Sequence, residues 1–262
     1  MKELYSAASF AVRQVVFLTP FCVVFQLVCL KIARRRFYWS LVREDALFED
    51  LTFYAYLFSS PLAVVVAVVL ASRRQWTLAA LYGVLALGLL FVAGEEISWG
   101  QRVWELETPE LLTRNRQNEL NLHNLASRRV LHGAYILVAG IGAFGRLLLP
   151  RPLRRRLGAN VDLLLPRWYL TSYFFPAAAL YVYFDYLSPI LLRWLGESYY
   201  WTRTWYKRFM IARDQEPAEA LLAAGFALFV CDVLLRLWLA RNRRSVGAED
   251  PGSRGEALRR SP

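Results

Sequence analysis

The sequence predicts an all-α fold: an integral membrane bundle of about six transmembrane helices with a polar extracytoplasmic cap. Three observations predict it. The 262-residue chain is 56% hydrophobic, above the roughly 45–50% of soluble domains. Several apolar runs reach the roughly 20 residues that a bilayer-crossing helix needs. Between the third and fourth runs lies a dense polar segment, 94–125, rich in carboxylates and amides.

Hydropathy places the spans at about 14–31, 51–71, 76–93, 129–149, 168–187 and 218–240. An acidic residue precedes the first run, no small-residue cleavage site follows it, and more spans come after. It therefore reads as a retained helix rather than a signal peptide. The second and fifth spans contain Pro61 and Pro176, where a membrane helix is expected to kink. The sixth contains Asp232 and Arg236, four apart. Charges at such depth pair with one another, and Arg236 is expected to snorkel toward the surface. One membrane domain is expected over 1–244. The polar tail, 245–262, contains Gly and Pro and is expected to be disordered.

Six alternating spans put loops 32–50, 94–128 and 188–217 on one side. Both termini and loops 72–75 and 150–167 fall on the other. That second side carries Arg73, Arg74, Arg151, Arg154, Arg155, Arg156, Arg241, Arg243 and Arg244, so the positive-inside rule makes it cytoplasmic. Lys31, Arg34, Arg35 and Arg36 count against this orientation. The net charge of +11 is assigned to topology and anionic lipid headgroups rather than to nucleic acid. Cys22, Cys29 and Cys231 all lie in apolar spans without CxxC spacing, which argues against disulfides and a cysteine–zinc site.

The unusual polar segments share the other side. They are Arg43-Glu44-Asp45 with Glu49 and Asp50, the 94–125 segment, and Asp214-Gln215-Glu216 with Glu219. His132 begins span four there. Asp185 ends span five there, has no partner close in sequence, and is a candidate site residue. Segment 191–210 mixes Trp and Tyr with basic residues. It reads as an interfacial helix, either an anchor or a lipid-facing lid.

Candidate chemistry centres on 94–125. If span three continues as a helix, Glu95, Ser98 and Arg102 stack on one face at i, i+3 and i+7, with Glu96 turned elsewhere, beside Trp99 and Gly100. Adjacent carboxylates near a membrane suit a general acid or base. The alternative is an ion-pair network, such as Glu95 with Arg102. Gln101 and Arg102 are candidates for substrate binding. Thr108-Pro109-Glu110 is a structural helix start. Glu119 and His123, four apart, can ligate a metal or form an acid–base pair; a hydrogen-bonded structural histidine is the competing reading. His123 and His132 are the two histidines of the chain, so a divalent metal would need supplementary carboxylates. Asn121 and Asn124 suit capping or headgroup hydrogen bonds. Walker, HExxH and GxSxG patterns are absent from the sequence.

The blocks Arg43-Glu44-Asp45-Ala46 with Glu49, Gly94-Glu95-Glu96-Ile97-Ser98-Trp99-Gly100-Gln101-Arg102, Thr108-Pro109 and Asn121-Leu122-His123-Asn124-Leu125 carry a resemblance. In this order they resemble an uncharacterised family of bacterial multi-pass membrane proteins with REDG, GEEISWGQR and NLHN motifs. Ala46 stands where that pattern has Gly. The resemblance covers about 40–130 and implies one shared site, without supplying an activity.

Two functional readings follow. One is an enzyme of the bacterial inner membrane, termini cytoplasmic, acting on a lipid or lipid-linked headgroup. Its catalytic candidates are Glu95, Glu96, Ser98 and His123, its binding candidates Arg102, Gln101, Asn121, Asn124, Glu44, Asp45, Asp185 and Glu216, and its metal candidates Glu119, His123 and His132. The other is a non-enzymatic binding, transport or assembly protein that recognises a headgroup or a partner membrane protein. Membrane lipids are the expected partners in both.

Overall fold

A computed structural model describes residues 2–43, 46–101, 127–195 and 212–248. Among these residues the fold is helical and without strands. The helices are α1 (Lys2–Ala33), α2 (Arg35–Val42), α3 (Leu47–Ser72), α4 (Trp76–Glu96), α5 (Arg128–Leu148), α6 (Arg151–Leu157), α7 (Val161–Leu164), α8 (Thr171–Val182), α9 (Ser188–Leu195) and α10 (Gln215–Ala248). Six helical stretches are long and apolar enough to cross a membrane: Ser9–Ala33, Arg35–Ser72, Trp76–Glu96, Arg129–Leu148, Trp168–Leu191 and Gln215–Arg241. This is the architecture of a multi-pass membrane protein.

Large apolar side chains such as Phe25, Val84, Leu87 and Leu147 face outward, as a lipid solvent permits and water does not. The interior rests on small residues that let helices approach. Gly142 of α5 lies against the ring of Phe174 on α8, so close that an added Cβ would meet it at 2.2 Å. Ser60 of α3 donates to the Ala86 carbonyl of α4 at 2.9 Å. The α10 helix packs on both α3 and α8, joining the α3–α4 pair to the α5–α8 pair, while α1 lies against α8 at the edge. Helices α1, α3 and α8 run through Pro20, Pro61 and Pro176 without ending there.

The ends of the bundle differ. At the end holding the start of α4 and the close of α5, Asp162 accepts hydrogen bonds from Arg146 and from Arg167 (2.9 Å). Arg236 lies 3.6 Å from the same carboxylate. Asp232 accepts from the Tyr169 hydroxyl at 2.8 Å and meets Arg236 Nη2 at 2.8 Å. That last contact is out of hydrogen-bond alignment and leaves both buried atoms without another partner. The expected Asp232–Arg236 pairing is therefore joined by Asp162 and Tyr169. Arg73 closes the same end by donating to the Leu237 carbonyl at 2.8 Å.

Candidate functional site

Three inward stripes reach the opposite end and finish there on carboxylates. On α3 the stripe is Glu49, Thr52, Tyr56, Ser59, Ala63, Val66 and Leu70; on α4 it is Tyr82, Ala86, Leu89, Ala93 and Glu96; on α10 it is Glu219, Leu222, Phe226, Val230, Val233 and Leu237. Steps of three and four residues keep each stripe on one helical face. A carboxylate that continues such a stripe points between helices rather than at lipid.

Glu96 accordingly stands within electrostatic reach of Glu219, Glu216, Glu49 and Glu95. Tyr181 of α8 and Tyr135 of α5 donate their hydroxyls to the two oxygens of Glu219, the latter at 3.2 Å. Their rings stack with centroids 4.7 Å apart. Tyr56 of α3 lies within electrostatic reach of both Glu96 and Glu219. Two carboxylates from distant parts of the chain thus sit among three tyrosines.

His132 of α5 adjoins this group, its ring edge-to-face with Tyr181 at 4.8 Å. It is 4% exposed, and its Nδ1 lies 2.9 and 2.8 Å from the two oxygens of Asp185. Asp185 occupies a π-helical turn, Tyr183–Leu187, between α8 and α9. The extra residue of a π turn re-aims side chains, and such turns concentrate at functional sites. With Nδ1 committed to Asp185, Nε2 is the nitrogen left to accept or deliver a proton.

A third corner is built on Asp214, just before α10. Lys31, in the last turn of α1, pairs with it at 2.5 Å, and the Tyr38 hydroxyl donates to its other oxygen at 2.7 Å. Both ionic side chains are buried, 6% and 8% exposed. Arg213 pairs with Glu216 at 3.0 Å. Every membrane-crossing helix therefore supplies an ionisable group to this end.

The polar motif that closes α4 divides its labour. The helix ends at Glu96, and Ser98, Trp99 and Gly100 take left-handed φ values of 48°, 54° and 77°. For two non-glycine residues this costs of order 1 kcal/mol each. The turn folds the Trp99 ring back over α4, where Nε1 donates to Glu95 Oε1 at 2.6 Å. The ring lies on Gly94, where a Cβ would stand 2.8 Å from it. Gly94, Glu95, Trp99 and Gly100 thus fix the turn, and Glu96, just before it, stands within electrostatic reach of Glu219.

Several expectations are revised by this geometry. Glu95 and Ser98 do not stack on a continuous helix, because the left-handed turn intervenes. Glu95, rather than Glu96, is the carboxylate beside Trp99. Asp185 has a partner after all, His132, far away in sequence. Ser98 is buried and Gln101 is half-buried beyond the turn. Glu44, Asp45, Arg102, Glu119, Asn121, His123, Asn124, the helix start at Thr108 and most of 191–210 lie outside the described residues. Of the metal candidates only His132 is described. Among the described residues no group of three or more His, Cys, Asp or Glu is placed to hold a metal ion.

Lys31, Tyr38, Tyr56, Tyr135, Tyr181, Asp214 and Glu219 join the site without having been singled out as site residues. The signal for Glu219 was present: it begins the apolar stripe of its span, as Glu96 ends that of α4. For Lys31 and Asp214, 183 residues apart, no local pattern exists. The chain matches no protein-family model, no curated protein and no solved structure.

Proposed function

We propose that this protein acts at one face of the membrane on the headgroup of a lipid or lipid-linked substrate, by moving a proton. The observation that carries the reading is Glu219 held between helices by Tyr135 and Tyr181, with Glu96 and Tyr56 within electrostatic reach of it. Two close carboxylates in a poorly solvated place do not both ionise readily, so one serves as proton donor while the other accepts. Tyr135 and Tyr181 hold Glu219 in place, which leaves Glu96 as the group to meet substrate. His132, oriented by Asp185, is a second proton carrier. Ser98, Gln101, Arg102, Asn121, His123, Asn124, Glu44, Asp45 and Glu216 belong to the proposed cap over this site, with a divalent metal as a candidate cofactor. Glu95 is assigned to the turn that aims Glu96. In this reading the protein lies in a bacterial inner membrane with cytoplasmic termini, and it belongs with the GEEISWGQR family.

Lipid extracts from cells producing the wild-type protein or Glu96→Gln test the proposal. Mass spectrometry should find a headgroup species whose amount follows the wild-type protein and falls about 10²-fold or more in the variant, the scale of a lost acid or base. Identical lipid profiles overturn it. A second reading, recognition of a headgroup or partner membrane protein without chemistry, draws on the same hydrogen bonds, since a carboxylate held by two tyrosines also makes a rigid binding surface. It predicts unchanged lipids but loss of a co-purifying membrane protein in Glu96→Gln. Orientation is tested separately: a reporter fused after Arg244 should behave as cytoplasmic.

A further inference from the structure

Helix α6, Arg151–Leu157, buries none of its residues. Seven residues are too few for a helix to persist in water without support; the protein ties α6 at Arg154 and leaves its other arginines and Leu153 to a surface outside itself. Leu153 and Leu157, four apart, share one face of α6, and Arg151 and Arg155 share the opposite one. Gly158 closes the helix in a left-handed conformation, φ 52°. The level of α6 relative to a bilayer is set by exposed tryptophans at the same end: Trp76 at the start of α4, Trp168 before α8 and Trp238 near the end of α10. Exposed tryptophans gather at the headgroup layer.

The charge at this level is unbalanced. The single acidic residue of loop 150–167 is Asp162, which Arg146 and Arg167 already bond and Arg236 already approaches. Arg154 donates to the Arg146 carbonyl at 2.5 Å. Arg151, Arg155 and Arg156 are exposed and make no ion pair among the described residues.

We propose that α6 lies in the headgroup layer and binds anionic phospholipid. Arg151, Arg155 and Arg156 take the lipid phosphates, and Leu153 and Leu157 dip toward the acyl chains. An amphipathic helix with arginines opposite leucines is suited to this position, and guanidinium groups to phosphate.

Native mass spectrometry of the full-length protein in detergent, titrated with phosphatidylglycerol or phosphatidylcholine, tests the proposal. The wild-type protein should retain phosphatidylglycerol in preference to phosphatidylcholine. In R151Q/R155Q/R156Q the affinity for phosphatidylglycerol should fall about tenfold or more, since each basic residue near an anionic surface contributes about fivefold. Affinity for phosphatidylcholine should not move, and R151K/R155K/R156K should keep most of the preference. A glutamine variant with wild-type preference overturns the proposal. So does loss of preference in R34Q/R35Q/R36Q, at the other end of the bundle, with none in the α6 variant.

Discussion

At one end of the bundle Glu96 and Glu219 face each other among three tyrosines; at the other, Asp162 sits among three arginines. Both ends gather charge from several helices. At the arginine end Asp162 and Asp232 are met by Arg146, Arg167 and Arg236, so the arrangement neutralises itself and ties loop 150–167 to α5 and α10. Among the described residues of the site end, the hydroxyls of Tyr135 and Tyr181 donate to Glu219, with Arg213 in electrostatic reach but not hydrogen-bonded to it. A network built to stabilise pairs its charges, whereas one built to act leaves a proton exchangeable. That contrast is what separates scaffold from candidate site here.

The comparison breaks most visibly at the corner where the site end does contain a buried ion pair. Asp214→Ala takes the ion-pair partner from a buried Lys31, and should destabilise the protein by about 3–5 kcal/mol. Thermal unfolding in detergent measures the loss. Lys31→Met with Asp214→Leu should recover most of it, because two apolar side chains leave no orphaned charge. If the double variant is no better than the single, the pair does more than neutralise itself.

Overpacking gives the next largest effect. Gly94→Ala places a methyl group against the Trp99 ring and should cost about 1–3 kcal/mol. Adding Trp99→Ala removes the obstacle, so the double variant should melt above the sum of its parts. Strict additivity would mean that Gly94 and Trp99 are not coupled.

At the arginine end the effects are smaller. Asp162→Asn should cost about 1 kcal/mol or less, because its ion pairs are partly solvated, and added salt should shrink the difference. Partial burial opposes the charge of Asp162, but the hydrogen bonds from Arg146 and Arg167 outweigh it and hold the carboxyl below its usual range. A folded-state pKa below the unfolded value stabilises above the unfolded value and loses its effect as pH falls through the folded one. The difference between wild type and Asp162→Asn should therefore hold steady from about pH 5 upward, begin to shrink near about pH 4, where a free aspartate titrates, and vanish only once the pH has fallen below the lowered folded-state value. A difference that persisted in stronger acid would remove the carboxylate from the account.

Hydropathy located all six crossings because burial in lipid is a property of composition along a run. Helix ends were less legible, since backbone hydrogen bonding continues past the last apolar residue. The third crossing was expected to stop at 93, and α4 runs on to Glu96. The left-handed turn after it depends on Trp99 folding back, and the π turn at Asp185 on one inserted residue. Neither leaves a trace in periodicity. Lys31 counted in sequence as a surface charge opposing the favoured orientation; buried against Asp214, it no longer weighs as a free juxtamembrane cation. Glu96 was legible as a candidate carboxylate and Glu219 as the start of an apolar stripe, but their pairing was not, because the two belong to crossings that are far apart in the chain.

The distribution of the site over every crossing also fixes when it comes into being. Glu219 lies in the sixth membrane-crossing helix of the sequence, and Asp214 just before it. Until that helix docks, Tyr135 and Tyr181 lack their acceptor, Lys31 lacks Asp214, and Glu96 lacks Glu219. A chain stalled after five crossings therefore carries unsatisfied polar groups inside the membrane, a state that membrane quality control can detect. Docking of the sixth crossing is then also the event that completes this polar end of the bundle.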